Sequence, residues 1–521
     1  MSFRTPIRSK GARRTISTLK SFSAPVGGWN TKDSLAAMDI TDAVVMDNWV
    51  PRNNYCETRG GWVAHATGAT GNIKTIATYN SLTGLNKLYG YTSVGIYDVS
   101  SAGAVGASKL ARTNGKHQWE MFGDGTSNWL IACNGVDKPA YHDGTNWIAV
   151  DGASSPALTG VTTTNLIQPC VYKGRLFFVE QGTNNFWYLG AGVAGGALTK
   201  FDLSAEFKRG GFLMRMAVWT RDAGDGQDDV ACFISSQGEV AVYQGNNPAV
   251  AAHWSKVGAY FVGRPIGRRC TVQFGGDLII LTVNGVFPLS QALQSASIDY
   301  KLSLSYSIEP TFNADARAFL DVFGWEAMIF PEQSALIVNI PNAEDGLHYQ
   351  YVMNTVTKAW CRFTSWPIET FGILNGELFG SVGTGTRKLW TGTIDGADSI
   401  VFYCKQAFSY FDSFGLLKKF KMYKPNLIVK SSISFFTDFD VDFRDTPITG
   451  SASFTGVVGS LWGVAKWNSG TWSGSENIVR QWSSPAEWEG YCAAVKLKVT
   501  TKTTTVKWLA NDVIFEYGGP F

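Results

Sequence analysis

From about residue 70 to 400 the chain alternates short apolar runs with glycine turns. Each unit is a strand, a Gly turn, a second strand and another turn. Clear instances are Leu88-Tyr89-Gly90-Tyr91 with Gly95-Ile96-Tyr97-Asp98, and Trp129-Leu130-Ile131-Ala132 with Asn134-Gly135 and Ala140-Tyr141. The pattern returns at Arg175–Val179, at Val230–Ser235 with Glu239–Tyr243, and at Leu278–Leu281 with Val286-Phe287. Less regular copies follow at Ala335–Asn339 with Tyr349–Val352, and at Gly376–Gly380 with Leu389-Trp390. β-branched and aromatic residues in runs this short suit strands better than helices. The second-turn glycines Gly95, Gly135, Gly238 and Gly285 place neighbouring copies about 40 to 55 residues apart, with one further copy between Gly135 and Gly238, close to the roughly 40 to 50 residues of a four-stranded propeller blade. A stack of β-sandwiches would need linkers between copies, and no Pro-rich or Ser-rich stretch supplies them. The sequence therefore predicts a mostly β chain, a β-propeller over 26–400, with insertions near 206–226 and 290–318 and a C-terminal antiparallel β domain over 401–521.

The segment before the repeats is denser in signals. In Pro25-Val26-Gly27-Gly28-Trp29-Asn30, the paired glycines permit a turn that a Cβ would strain. Thr41 ahead of Asp42–Met46 reads as the N-cap of a short helix. Asn48-Trp49-Val50-Pro51 ends it, and Tyr55–Arg59 alternates as a strand up to Gly60-Gly61. Trp49 is expected to pack on the first blade, with Pro51 fixing the turn toward the strand.

The order of Gly28, Asn30, Asp33, Leu35, Met38, Asn48, Trp49, Pro51, Arg59 and Gly61 resembles the start of tail nozzle proteins of short-tailed bacteriophages. Val506–Gly519 resembles the terminal strand of the same proteins. The two stretches cover about a tenth of the chain. The resemblance implies a structural virion protein of the tail, assembled in the host cytoplasm. It implies a homo-oligomer, six copies in a ring below the portal and its adaptor or head-to-tail connector. That ring would carry DNA in transit without binding it specifically and would dock tail fibres or spikes. The alternative is a propeller at the host surface that binds or cleaves polysaccharide, and a third is a monomeric interaction scaffold.

Charge changes this picture by position rather than in total. The formal net charge is +3, yet Arg4, Arg8, Lys10, Arg13, Arg14 and Lys20 face no acid within residues 1–20. Residues 1–25 read as a basic flexible arm with no amphipathic period. Its lysines and arginines could grip phosphate or lie on an acidic neighbouring subunit, and the Arg and Ser content also fits a mitochondrial targeting peptide that lacks its helical stripe. Residues 21–400 hold 26 basic against 32 acidic residues, as expected of a wall that lets DNA slide. Asp222, Asp225, Asp228 and Asp229 form the densest acidic cluster, which lacks the alternation and closing Glu of a calcium loop. They are the candidates for a loop facing a DNA channel.

Catalytic and cofactor signatures are missing. The 8 cysteines are scattered with no CxxC and read as reduced core residues. The five histidines are far apart, so no metal site is expected, and no phosphate loop, dinucleotide fingerprint or Gly-x-Ser-x-Gly appears. No apolar segment follows the arm as in a signal peptide, and no window reaches the roughly 20 apolar residues of a membrane helix. The sequence predicts no enzyme and no cofactor. Tryptophans Trp462, Trp467, Trp472, Trp482 and Trp488 read as filling for a thin core more than as contact anchors.

Overall fold

A computed structural model of the chain describes residues 17–222, 227–294, 300–343, 348–448, 451–454, 476–484 and 489–518. Five blades are sheets of their own. The first runs Thr75–Tyr79, Lys87–Tyr91, Gly95–Asp98 and Leu110–Ala111; the second Gln118–Gly123, Asn128–Cys133, Ala140–His142 and Trp147–Ala149. The third is Leu166–Tyr172, Arg175–Glu180, Asn185–Ala191 and Thr199–Asp202, and the fourth Leu213–Asp222, Gln227–Ser235, Glu239–Gly245 and Trp254–Phe261. The fifth keeps three strands, Thr271–Phe274, Asp277–Thr282 and Gly285–Pro288. Every one is an antiparallel meander, the form that tight glycine turns impose.

Two further four-stranded units continue the circuit but merge with the terminal strands. Glu326–Phe330 opens one that ends at Trp360–Phe363. Phe371–Leu374, Glu377–Val382 and Gly385–Leu389 form the other, and its fourth strand is Trp62–Ala64 from the start of the chain. This last pairing closes the propeller, because a sheet closed on itself leaves few strand edges open.

Apolar clusters mark the seams between neighbours. Tyr89, Tyr91 and Leu130 join the first blade to the second, and Tyr141, Leu166 and Phe178 join the second to the third. Phe177, Phe186, Phe233 and Trp254 stack between the third and fourth, while Trp219, Val242 and Ile280 fill the next seam. Ile76 and Leu88 meet Leu374 and Phe379, so the unit after residue 370 packs on the first blade and the circle is complete. Each fully buried aliphatic or aromatic side chain contributes roughly 1.5–3 kcal/mol, which is why so glycine-rich a chain holds its shape.

The terminal segments form a second body of sheet. Val506–Tyr517 pairs along its length with Lys418–Val429, and it also carries Thr18–Ser23 and Cys56–Thr58. Ala493–Thr501 lies between Asp398–Gln406 and Ile433–Val441. The helix expected over Asp42–Met46 is instead the strand Asp42–Asp47, paired with Asp398–Gln406. Ala43 and Met46 face the core while Val44 and Val45 are only half-buried, and β-branched residues pack well on such a pleated surface.

The insertion expected near 206–226 is corrected too. Leu213–Asp222 is the first strand of the fourth blade, not an excursion from it. Between residues 289 and 318 the chain leaves the strand pattern as expected, with helices Leu289–Gln294 and Glu309–Ala318. Phe312 and Ala316 of the longer helix are buried against the main core. All eight cysteines are buried and none forms a disulfide.

Candidate functional site

The propeller axis is tied shut by one side chain near the start of the inner strands. Arg269, just ahead of the fifth blade, donates through Nη2 to Thr75 Oγ1 (2.6 Å) and to the His117 carbonyl (3.1 Å). Its Nη1 donates to Thr370 Oγ1 (2.9 Å) and faces Glu326 Oε2 at 3.4 Å. A single guanidinium thus touches the first blade, the lead into the second, and both units that follow the helical segment. Arg215 adds a second tie, donating to the Arg268 carbonyl (2.5 Å) and to Gln118 Oε1 (3.3 Å). Burial lowers the pKa of Arg269, but five rigid donors in acceptor-rich surroundings keep the charge in place. His117 beside it is held neutral: burial first, then the nearby Arg112, depresses it to about 3.

Above these ties opens a cavity of about 570 Å³. Lys116, Arg264, Arg268 and Arg269 line it together with Phe323 and Trp325. The ring of Phe323 lies between two cations, Lys116 Nζ at 4.9 Å and the Arg269 guanidinium carbon at 5.1 Å from its centre. The acid of the lining, Asp321, stands out in solvent and only approaches Arg264, at 3.8 Å. This mouth was not visible in the sequence, since its residues come from seven separate stretches.

The lead-in residues Asn48, Arg59 and Gly61 lie close together, and the structure adds a partner that sequence reading missed. Asn48 adopts a left-handed backbone (φ 63°), which asparagine tolerates better than most residues. Its Oδ1 accepts from Arg59 Nε (2.9 Å) and from the Thr364 amide, while its Nδ2 donates to the Val401 carbonyl and Thr364 Oγ1. Arg59 is fully buried and grips Asp395 with both ends of its guanidinium, at 3.0 and 2.6 Å. Trp366 and Phe363 lie 5.2 and 5.4 Å from the guanidinium carbon. Gly61 is required by close approach, because a Cβ there would lie 1.8 Å from the Ile394 carbonyl oxygen. Asp395 pairs with Trp62 in the closing strand, so the cluster clamps the point where the ring is sealed.

The remaining motif residues support the same junction. Gly28 has φ 85°, and its missing Cβ leaves room for the Trp360 backbone. Asn30 donates to Asp33 (2.9 Å) and Asp42 (2.7 Å) and accepts from the amides of Lys32 and Asp33. The Pro51 carbonyl accepts from Asn354 Nδ2 (2.9 Å). Trp49 does not pack on the first blade; it is buried against Phe402 and Trp508, rings 5.9 and 5.7 Å away. The correction follows from the strand pairing, which puts Trp49–Pro51 beside Cys56–Thr58 and so beside Val506–Tyr517.

Of the arm, Arg4, Arg8, Lys10, Arg13 and Arg14 lie outside the described residues. Lys20 sits in the strand Thr18–Ser23 and pairs with Asp412, both well exposed. Asp225 also lies outside them. Asp222 ends the first long strand of the fourth blade, Asp228 stands one residue inside the start of the second, opposite Arg221, and Asp229 accepts from Thr220 Oγ1 at 2.7 Å. Because Phe212 and Met214 line the mouth, Asp222 lies at the far end of the strand, roughly 30 Å away at about 3.3 Å per residue. The acidic hairpin and the basic mouth are therefore on opposite faces of the propeller. Of the tryptophans, Trp482 is half-buried with Lys424 Nζ 4.6 Å from its ring centre, and Trp462, Trp467, Trp472 and Trp488 fall outside the described residues.

No known family and no curated protein matches this sequence. Among solved structures, BBS1N in complex with ARL6DN, soaked with lead, aligns with 65% of this chain and 99% of its own at 13% identity and a TM-score of 0.39. The Neurospora crassa Pan2 WD40 domain aligns with 63% of this chain and 97% of its own, at 9% identity and 0.37. An arabinoxylan arabinofuranohydrolase of glycoside hydrolase family 43 from Bacillus subtilis covers 91% of this chain and 95% of its own, at 10% identity and only 0.26. Likeness this distant carries no function, and the propeller is read from the strand order itself.

Proposed function

We propose that this chain is a structural protein of a short-tailed phage tail, the nozzle below the portal and adaptor, acting as a ring of six copies. The observation that carries the reading is that its two stretches of resemblance meet. Val506–Tyr517 pairs with Cys56–Thr58 and with Thr18–Ser23, so residues far apart in sequence form one unit. A propeller whose axis is filled by Arg269 and Arg215 cannot pass a duplex through itself, so in this reading the DNA channel runs between subunits. The arm leaves from Thr18 and adds affinity for an acidic neighbour through many weak contacts. The acidic hairpin at Asp222 and Asp228 faces the DNA and repels it, since lysines and arginines in its place would bind phosphate and slow release.

Mass measurement and negative-stain imaging of the purified protein, alone and with its tail partners, test this. A closed ring and particles that leak DNA without the protein support the nozzle. A monomer whose loss leaves particles filled and infectious refutes it. Deleting residues 2–16, which spares the paired strand Thr18–Ser23, is expected to leave a folded body that incorporates poorly. Replacing Asp222, Asp225, Asp228 and Asp229 with Asn is expected to change the rate of DNA release.

A further inference from the structure

We propose that the axial mouth is a binding site for a carboxylated sugar, the uronic-acid type of residue found in acidic polysaccharides. The inference does not depend on the tail reading above. Its basis is a mismatch between charge and partners. Arg269 at the floor has both terminal nitrogens hydrogen-bonded within the protein. Arg268 beside it is half-buried, and among the described residues no acceptor or carboxylate meets its guanidinium. Taking a cation out of water without a partner is costly, and burial does lower this arginine's pKa. Arg264 and Lys116 add positive charge to the same wall, against the single outlying Asp321. A planar guanidinium left open in a cavity matches a carboxylate in two-point fashion.

The rim argues for a sugar rather than a bare anion. Gln181 and Gln237 line the cavity, stand exposed, and meet no side-chain partner among the described residues. An amide both donates and accepts, as a hydroxyl-rich ligand requires. Phe212, 36% exposed, presents an apolar surface at the same rim, suited to the C–H face of a pyranose. The volume of about 570 Å³ is in the range of pockets that enclose small ligands, about 300–1,000 Å³, and would take one or two rings.

The test is calorimetric titration of the full chain with digalacturonate, cellobiose, inorganic phosphate and a Glu-rich peptide, with Arg268→Gln and Gln237→Ala alongside. Digalacturonate is expected to bind, with cellobiose at least tenfold weaker and phosphate weaker still. Arg268→Gln should lose roughly ten- to a hundredfold, as for a charged hydrogen bond, at an unchanged melting temperature. If that variant does not fold, Gln237→Ala, on the exposed rim, should lose severalfold for digalacturonate and nothing for phosphate. No binding of digalacturonate, or equal binding of cellobiose, overturns the proposal. Phosphate binding as tightly would reduce the mouth to an anion site. Tighter binding of the peptide would assign it to an acidic protein segment, and either result refutes the sugar.

Discussion

Asp395→Ala is the sharpest perturbation this fold offers. Arg59 makes four hydrogen bonds inside the protein, to Asn48 Oδ1, to the Gly60 carbonyl and two to Asp395. Its side chain is fully buried and that of Asp395 nearly so. Removing the carboxylate leaves a buried guanidinium with half its bonds and no counter-charge, which typically costs about 3–5 kcal/mol. The exposed pair Lys388–Glu377, a single contact at 2.5 Å, serves as the control: Glu377→Ala should cost less than about 1 kcal/mol although its contact is as short. Urea unfolding followed by tryptophan fluorescence reads both, since Trp366 lies against the guanidinium. A double change, Arg59→Met with Asp395→Leu, removes both charges and should recover most of the loss. If Asp395→Ala falls within about 1 kcal/mol of the parent, or the double change is as damaged as the single one, the clamp does not hold the ring closed by charge.

Trp49→Ala should destabilise by roughly 3–5 kcal/mol, the usual cost of emptying a large buried aromatic site; an unchanged melting temperature together with failed assembly would make Trp49 an interface residue instead. Gly61→Ala should express mostly insoluble, because its Cβ has only 1.8 Å to the Ile394 carbonyl, and a soluble variant of parental stability would show that the closing strand can shift. Two groups, the buried His117 and the half-buried Glu120, give the pH profile opposite slopes. His117, held near 3 in the folded chain, is protonated first on unfolding, so stability should fall as pH drops from about 6.5 toward 3. Glu120, raised to about 7 by burial against the partly opposing Arg215, binds its proton better when folded, so stability should fall as pH rises from about 4.5 through 7. Glu120→Gln should therefore gain stability over the parent at pH 8 and not at pH 4, and melting scans across pH would show it.

Most of the propeller was legible because its signal is local. A strand, a glycine turn and a strand identify themselves within about twenty residues, and Gly95, Gly238 and Gly285 indeed stand at or beside the starts of third strands. The lead-in motif was legible as a group, but its counter-ion was not, because Asp395 lies more than three hundred positions from Arg59. The same distance explains the false helix. Asp42–Asp47 is a six-residue run whose strand character comes from Asp398–Gln406, and six residues cannot declare a period by themselves. Around 206–226 charge was misleading: Arg215 looked like loop chemistry, yet it reaches across the axis to Gln118 and the Arg268 backbone. The mouth was hidden for a related reason, being assembled from the ends of several blades, none of them basic enough to attract notice alone.

The closing strand sets a timetable for the chain's synthesis. Trp62–Ala64 finds its neighbour only when Gly385–Leu389 has been made, and Cys56–Thr58, paired on one edge with Trp49–Pro51, waits for Trp508 on the other. At about 5–20 residues per second, the first sixty residues spend roughly 20 to 90 s with their strand edges bare. During that time any extended segment can pair with them, including the same segment of another nascent chain. A polysome making this protein thus brings many copies of one unpaired edge into close quarters, and expression at lower temperature or with a holding chaperone should raise the soluble yield far more than changes to the finished fold would.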